Sequence, residues 1–293
     1  MIVLDGGIGR HLEKMGAPFG QPEWSALSLI QDPDFVLRAH KDFIDSGADV
    51  ITTNSYAIVP FHIGKDRFEK EGKDLLIRAG NIAKEAVKLY KKEIKIAASI
   101  PPVLGSYKPD VFNSEKAIPI LEIFKNNLIQ YCDLILAETL SSIDEIKTIQ
   151  KVFGDCKIPF WISLTIEDEY YNIPKLRSGE EIVTALRKID FNKISSVLFN
   201  CSQPEVMAKA IKVAKNLVPE NTSLGVYANA FQPIKIGQRD ANSQIRNTRQ
   251  ELTPEKYFDF VKEWNELEVD IIGGCCGIGP EHIKKICELK KNR

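Results

Sequence analysis

Three cysteines stand where their thiols could hold one metal ion. Cys275 and Cys276 are adjacent and follow the apolar, glycine-ended run VDIIGG, while Cys201 follows the apolar run SSVLFN. Adjacent cysteines pair poorly with each other because the ring that would link them is strained. Three thiolates with one open position are the ligand pattern of a catalytic zinc site. The sequence therefore predicts one zinc ion per chain, held by Cys201, Cys275 and Cys276.

The remaining candidate ligands are placed less favourably. The chain has six cysteines and four histidines, and no histidine falls at the end of an apolar run, so an all-sulfur set of protein ligands is expected. Cys132, Cys156 and Cys287 are interpreted as small buried hydrophobes. The pair Gly273–Gly274 is expected to let the backbone bend so that both following thiols face one ion.

Two carboxylates form a second candidate group. Asp5 follows the first apolar run and Glu138 lies near the end of another. A turn aspartate and a structural ion pair are the alternative interpretations. A buried carboxylate costs free energy unless it has a partner, which favours a binding role. Other polar residues at the ends of apolar runs are Thr52, Thr53, Asn54, Thr139, Asn200 and Asn229.

The stretch GGCCGIGPEH also permits a rival interpretation. A glycine-rich turn that leads into a helix can bind phosphate, and the last strands of barrel enzymes often do so. This alternative gives no reason for the paired thiols or for Cys201. A phosphate-binding barrel isomerase or lyase therefore stays open as a second function.

The elements that position these residues are eight short, mostly continuous apolar runs. Such runs are typical of parallel strands that are covered on both faces. They occupy residues 1–7, 48–56, 95–102, 132–140, 159–166, 195–201, 223–229 and 269–276. Amphipathic helical patterns separate them at 32–48, 72–93, 141–154, 178–190, 203–219, 253–267 and 279–292.

Eight strand–helix units in 293 residues predict an α/β fold, a (β/α)8 TIM barrel, as a single domain over 1–293. An open doubly wound sheet is the alternative. Three long loops, 57–72, 103–116 and 230–252, leave strand ends where barrel enzymes place their active sites. They are candidate lids or subunit contacts, or plain surface loops.

Composition narrows the possible partners. Net charge is −1 without a long basic block, whereas a nucleic-acid binder would show a basic stripe, so no nucleic-acid partner is expected. No apolar run approaches the roughly 18 residues of a membrane span, and the N-terminus lacks the pattern of a signal peptide. We expect a cytoplasmic protein without a membrane partner.

Six stretches together resemble the homocysteine S-methyltransferase family of zinc-dependent barrels. They are LDGGIGRHLEKMG, WSALSL, SGADVITTNSY, AETLSSIDEI, FNC and GGCCGIGPEHI, in order along nearly the whole chain. The resemblance implies that Cys201, Cys275 and Cys276 bind zinc. It also implies that Asp5, the backbone around Gly6, and Glu138 hold the amino end of homocysteine. Thr53 and Asn54 are expected in the same pocket, and Asn200 is expected to orient its neighbour or the substrate.

The implied reaction is methyl transfer to homocysteine, giving methionine. A free thiol has a pKa of about 8.5, so zinc is needed to hold the substrate sulfur as an anion at neutral pH. That sulfur attacks a methyl group on a cationic sulfur or nitrogen. The small cationic donor is S-methylmethionine, S-adenosylmethionine, betaine or dimethylsulfoniopropionate, and the short chain favours the S-methylmethionine type.

Aromatic faces commonly hold such cations, and Trp24, Tyr56, Tyr107 and Phe231 are the candidates on strand-end loops. A non-catalytic zinc- or thiol-binding barrel is a third possible function. The oligomeric state stays open.

Overall fold

Eight parallel strands form one sheet in the computed structural model, which describes residues 1–169, 171–233 and 246–291. The strands are β1 (Ile2–Val3), β2 (Val50–Thr52), β3 (Lys95–Ile100), β4 (Leu134–Leu140), β5 (Phe160–Leu164), β6 (Ser196–Asn200), β7 (Ser223–Tyr227) and β8 (Ile271–Ile272). Their order is β1-β8-β7-β6-β5-β4-β3-β2, and a parallel bridge between Leu4 and Val50 joins the two edges. The predicted TIM barrel is confirmed.

Helices cover the outside of the sheet. They are α1 (Ile8–Lys14), α2 (Ala26–Gln31), α3 (Pro33–Asp45), α4 (Pro60–Ile63), α5 (Lys65–Lys88), α6 (Ser114–Asn127), α7 (Ile143–Phe153), α8 (Ile182–Leu186), α9 (Pro204–Lys215), α10 (Pro254–Glu266), α11 (Pro280–Ile286) and α12 (Glu288–Lys291). Short 3-10 turns lie at Pro109–Val111, Ile129–Tyr131 and Phe191–Lys193. Among the described residues, none of the helices has the length and apolar character needed to cross a bilayer.

Local sequence explains where α7 begins. The backbone N–H of Glu145 donates to the Ser142 hydroxyl at 3.2 Å, and the Glu145 carboxylate accepts from the Ser142 N–H. This reciprocal capping satisfies two N–H groups that the first helical turn leaves without partners. The helical pattern predicted over 141–154 is therefore confirmed, with its start set by Ser142.

The predicted loop 57–72 is wrong over most of its length. The chain forms α4 there, turns at Gly64 with φ +82°, and enters α5 at Lys65, seven residues before the predicted helix. Phe68, Gly72 and Leu75 are buried along α5, and this helical spacing extends the amphipathic pattern back into the supposed loop. The predicted loop 103–116 likewise contains a 3-10 turn and the start of α6, whose Lys116 N–H donates to the Asn113 side chain.

Two apolar layers hold the barrel together. The outer layer lies between sheet and helices and includes Phe43, Phe124 and Trp264. The inner layer fills the barrel and includes Leu136, Trp161, Leu198 and Ile271, together with Tyr107, Tyr227, Cys201 and Cys275. The inner layer therefore changes from aliphatic side chains to phenols and thiols towards the carboxyl ends of the strands, where a site can open.

Candidate metal and substrate site

A cavity opens at the carboxyl ends of the strands. It brings together most of the residues singled out from the sequence: Asp5, Gly6, Trp24, Thr53, Tyr56, Tyr107, Glu138, Cys201, Phe231, Cys275 and Cys276. Asn54 and Asn200 are not among the described lining residues. The position of the cavity agrees with the rule that barrel enzymes build their sites at this face.

The three cysteines meet at one side of the cavity. The sulfur atoms of Cys201, Cys275 and Cys276 all lie within 4.8 Å of one another. Cys201 and Cys275 are joined as a disulfide with Cα atoms 5.8 Å apart, and Cys276 is a free thiol. A disulfide offers no thiolate, so a metal would require the reduced pair. Once reduced, the three sulfurs are a donor set that fits a soft divalent ion.

Backbone contacts fix the positions of the cysteines. Cys201 has a left-handed backbone with φ +50°. Its carbonyl accepts hydrogen bonds from the Arg177 guanidinium and the Thr165 hydroxyl, both at 3.3 Å. The Cys275 N–H donates to the Ala228 carbonyl, and the Cys276 carbonyl accepts from the Ala230 N–H, each at 2.8 Å. The segment after β7 therefore ties down both adjacent thiols.

The glycines before the cysteine pair, Gly273 and Gly274, were expected to let the backbone bend, but the structure shows that they make room for close packing. Neither Gly273 nor Gly274 has a positive φ, unlike Gly277 at +85°. A Cβ on Gly273 would instead lie 2.7 Å from the Leu4 Cβ, and one on Gly7 would lie 2.5 Å from the Cys275 carbonyl oxygen. These glycines let the turns after β1 and β8 pack against each other. Protein atoms fill the space beside them, which argues against an open phosphate cradle.

The carboxylates of Asp5 and Glu138 are both buried. Asp5 accepts a hydrogen bond from the Thr52 N–H at 2.7 Å and another from the Thr52 hydroxyl at 3.1 Å. Glu138 accepts from the hydroxyls of Ser99 and Tyr227, at 2.5 and 3.3 Å. Burial raises the pKa of Asp5 well above its usual value, and the negative charge of Glu138 adds to this, against the Thr52 hydrogen bonds. Burial raises the pKa of Glu138 to about 7 although both hydroxyls oppose the shift.

No basic side chain in the described parts of the chain forms a salt bridge with either carboxylate. Two buried carboxylates without a countercharge are unfavourable, because burial removes the water that stabilises their charge. A cationic ligand in the cavity would supply the missing charge. The pair is therefore suited to bind an ammonium group.

Sequence reasoning missed the hydroxyls that hold these carboxylates. Thr52 was noted only as a polar strand-end residue, and Ser99 and Tyr227 were not singled out. The signal was a polar side chain inside an otherwise apolar strand, which identifies an inward-facing group but not its partner. Only the sheet order shows that β2, β3 and β7 supply partners to Asp5 and Glu138.

Asn54 and Asn200 support neighbouring backbone instead of lining the cavity. The Asn54 side chain donates to the Ser25 carbonyl at 3.1 Å. The Asn200 side-chain oxygen accepts from the Thr139 N–H at 3.0 Å and from the Ser163 hydroxyl at 2.8 Å. Asn200 thereby holds the end of β4 just after Glu138.

The four candidate aromatic side chains all line the cavity. The rings of Trp24 and Phe231 meet edge to face with centroids 6.5 Å apart. The Tyr56 hydroxyl shares a hydrogen bond of 2.8 Å with Ser106, and the Arg177 guanidinium lies 5.4 Å from the centre of the Tyr107 ring. Phe231 is the second residue of the predicted loop 230–252, of which 234–245 lies outside the described residues.

Unusual backbone conformations gather around this cavity. Among the described non-glycine residues, positive φ occurs at Trp24, Tyr107, Thr139, Cys201 and Glu268. Three of these line the cavity, and Thr139 directly follows Glu138. Such conformations cost free energy and persist where the surrounding structure enforces them, which is common at functional sites. The aromatic and cysteine positions are thus set by the fold and not left to side-chain rotation alone.

Comparison with known proteins gives the site a family. The sequence matches the homocysteine S-methyltransferase family over residues 2–289. It is 28% identical to homocysteine S-methyltransferase 1 of Brassica oleracea var. italica, with 99% of this chain and 94% of the relative covered. It is 26% identical to the selenocysteine methyltransferase of Astragalus bisulcatus, with 98% and 91% covered.

Solved structures show the same fold. The metallated form of the homocysteine methyltransferase MmuM from Escherichia coli superposes with a TM-score of 0.80 at 21% identity, covering 99% of this chain and 96% of that one. Its oxidized form gives the same TM-score at 20% identity, covering 100% and 96%. With the family match extending over almost its full length, this chain belongs to the homocysteine S-methyltransferase family and is a methyltransferase.

Proposed function

We propose that this chain transfers a methyl group from an onium donor to the thiolate of L-homocysteine, giving methionine, and that it requires one zinc ion. The observation that carries the proposal is the convergence of three cysteine sulfurs and two buried carboxylates on one cavity. The family relation supports homocysteine as the acceptor. The chemistry of the lining residues supports an onium donor and a zinc ion.

Zinc is proposed as the ion that reduced Cys201, Cys275 and Cys276 hold, because thiolate-rich sites favour it and it has no redox chemistry. Burial raises the pKa of the Cys276 thiol to about 12, and the negative charge of Glu138 adds to the effect. A divalent cation beside that sulfur would offset both effects. When bound, zinc supplies positive charge that lowers the pKa of a neighbouring substrate thiol from its usual value of about 8.5.

Asp5 and Glu138 are proposed to hold the substrate ammonium, with the backbone at Gly6 beside it. Their burial makes them poor anions without a ligand and strong partners for a cation that enters the cavity. Thr53 also lines this cavity. We propose that Asn54 and Asn200 act indirectly, by holding the backbone beside Ser25 and Thr139.

Trp24, Tyr56, Tyr107 and Phe231 are proposed to hold the methyl donor, because aromatic faces attract sulfonium and quaternary ammonium groups. In the transfer, a lone pair on the homocysteine sulfur forms the new bond to the methyl carbon. The bond from that carbon to the onium sulfur or nitrogen breaks, and its electron pair neutralises the leaving group. No proton moves to the leaving group, so the protein's contribution is position and electrostatics.

A donor panel tests the proposal. The reduced, zinc-loaded chain is incubated with homocysteine and, separately, S-methylmethionine, S-adenosylmethionine, betaine or dimethylsulfoniopropionate, and methionine is measured. At least one donor should give multiple turnovers that depend on homocysteine. Binding of zinc and homocysteine without methionine from any donor would instead favour a non-catalytic barrel. Activity on a phosphorylated substrate by metal-free protein would favour the isomerase or lyase.

Two further interpretations stay predictions. The single domain over 1–293 is supported by the family match over 2–289. The cytoplasmic location is proposed from the sequence patterns described above.

A further inference from the structure

One guanidinium lines the cavity and has no part in the proposed reaction. Arg246 is the single lysine or arginine among the described lining residues, and its side chain is half-buried. It belongs to the long polar segment 230–252 that follows β7. A fixed positive charge in a site for a cationic donor calls for an explanation, because like charges repel.

The chain directly after Arg246 is held on both sides. Thr248 forms an antiparallel bridge with Phe231, and the Arg249 N–H donates to the Ala230 carbonyl at 2.7 Å. The Arg249 guanidinium makes two hydrogen bonds to the Glu205 carboxylate, at 2.8 and 3.0 Å. Ala230 also bonds the backbone of Cys276. Arg246 therefore precedes a segment that is hydrogen-bonded to the chain next to Cys276 and Phe231.

The guanidinium of Arg246 lines the same cavity as the aromatic rings of Tyr107 and Phe231. Burial raises the pKa of Tyr107, and the positive charges of Arg177 and Arg246 oppose that shift. The pKa of Glu138, in contrast, is set by burial and by the Ser99 and Tyr227 hydroxyls, without a contribution from Arg246. The positive charge of Arg246 therefore acts on Tyr107, a proposed donor-binding ring, and also on Cys276.

We propose that Arg246 binds the carboxylate of the methyl donor and so selects onium carboxylates over onium compounds without an acid group. A guanidinium matches a carboxylate in charge and geometry, and aromatic faces match the onium centre. Together they recognise a molecule that carries both groups. The inference rests on the proposed function and makes Arg246 a specificity-determining residue.

A matched pair of donors tests this directly. S-methylmethionine and its carboxamide differ by one negative charge, and both are assayed with the wild type, Arg246→Gln, Arg246→Lys and the surface control Lys262→Gln. For Arg246→Gln we expect the KM for S-methylmethionine to rise about 10- to 100-fold, the range for losing a charge-assisted hydrogen bond. The KM for homocysteine and the kinetics with the carboxamide should change by less than about twofold. Arg246→Lys should recover part of the loss, and Lys262→Gln should match the wild type.

Two outcomes would overturn the inference while the proposed function stands. One is an equal loss with both donors, and the other is a rise in the KM for homocysteine in place of the KM for the donor. If the wild type makes no methionine from any donor, the proposed function fails, and tryptophan-fluorescence titration then decides separately on Arg246. Tighter binding of S-methylmethionine than of its carboxamide, lost in Arg246→Gln, would retain the carboxylate contact. Equal binding of the two would reject it.

Discussion

The cysteine group and the carboxylate pair share one cavity but are built in different ways. Contacts to main-chain atoms hold the cysteines: the Cys201 carbonyl accepts from Arg177 and Thr165, and the backbone of Ala228 and Ala230, after β7, fixes the adjacent pair. Side-chain hydroxyls on other strands hold the carboxylates. Neighbouring residues therefore bind the main chain of the cysteines, whereas they bind the acidic side chains themselves at Asp5 and Glu138.

Both groups are nevertheless electrostatically incomplete. Burial raises the pKa of Cys276 and of Glu138, so ionisation of both side chains costs more than in water until a cation arrives. The cations differ in kind, because thiolates select a soft metal whereas hydrogen-bonded carboxylates suit an ammonium. The same cavity can thus bind a metal ion at its soft sulfur ligands and an ammonium group at its hard carboxylate oxygens.

Removing one cysteine sulfur should have the largest effect on zinc content and activity. It tests whether the cysteine group can be disrupted separately from the carboxylate pair. In Cys276→Ser we expect zinc content to fall from about one ion per chain to a small fraction of that, because a hydroxyl is a poor zinc ligand. Methionine formation should fall with it. Metal analysis after gel filtration under reducing conditions measures the loss.

Cys156→Ser is the matched control, since Cys156 is a free, partly buried cysteine outside the cavity. It should keep full zinc content. Full zinc content in Cys276→Ser would break the assignment of the cysteine group. Unchanged folding should be checked by circular dichroism in both variants.

This difference between the cysteine group and the carboxylate pair also explains which parts of the site the sequence could predict. Eight apolar runs and the thiols at Cys201, Cys275 and Cys276 are visible without a structure, because strand patterning and ligand chemistry are local properties. The links from Thr52 to Asp5 and from Ser99 to Glu138 join residues 47 and 39 positions apart. Such contacts depend on strand order and register, which no single segment contains.

Glycine and helix positions show a second limit. Gly273 was expected to allow a bend, yet its missing Cβ makes room for Leu4. Residues 65–71 were predicted as part of the loop 57–72, although Phe68 continues the buried face of α5. The neighbour of Gly273 is far away in sequence, whereas Phe68 belongs to a local helical spacing with Gly72 and Leu75.

Neutralising Glu138 should have the next largest effect. It tests whether the carboxylate pair binds homocysteine independently of the cysteine group. In Glu138→Gln we expect homocysteine affinity to fall about 10- to 100-fold, the range for losing a charge-assisted hydrogen bond to the ammonium. Zinc content should stay at the wild-type level. Calorimetric titration with homocysteine and metal analysis of the same sample measure both quantities.

Glu145→Gln provides a control for the loss of a buried carboxylate as such. Glu145 is buried and caps α7 outside the cavity, so its replacement should affect stability but not homocysteine affinity. Loss of zinc in Glu138→Gln would show that the two groups are one unit. Unchanged homocysteine affinity would remove Glu138 from substrate binding.

The smallest expected effect sharpens the role of the hydroxyl neighbours. The ionised form of Glu138 binds the ammonium and its pKa is about 7, so homocysteine affinity should rise with pH through that value. The Ser99 hydrogen bond lowers this pKa, and Ser99→Ala should therefore move the midpoint to higher pH. Tyr227→Phe should move it in the same direction but less, because its bond is 3.3 Å long against 2.5 Å.

Homocysteine affinity measured from pH 5.5 to 8.5 at fixed zinc content separates these variants from simple structural damage. A structural defect would lower affinity equally across the range, whereas a pKa shift weakens binding below the new midpoint and spares it above. Ser106→Ala is a suitable control, since Ser106 also lines the cavity but bonds Tyr56 instead of Glu138. If the midpoint in Ser99→Ala stays at the wild-type pH, Glu138 does not control the pH dependence of homocysteine binding. The proposed contrast would then fail, because the acidity of the carboxylate pair would not depend on the neighbouring hydroxyls.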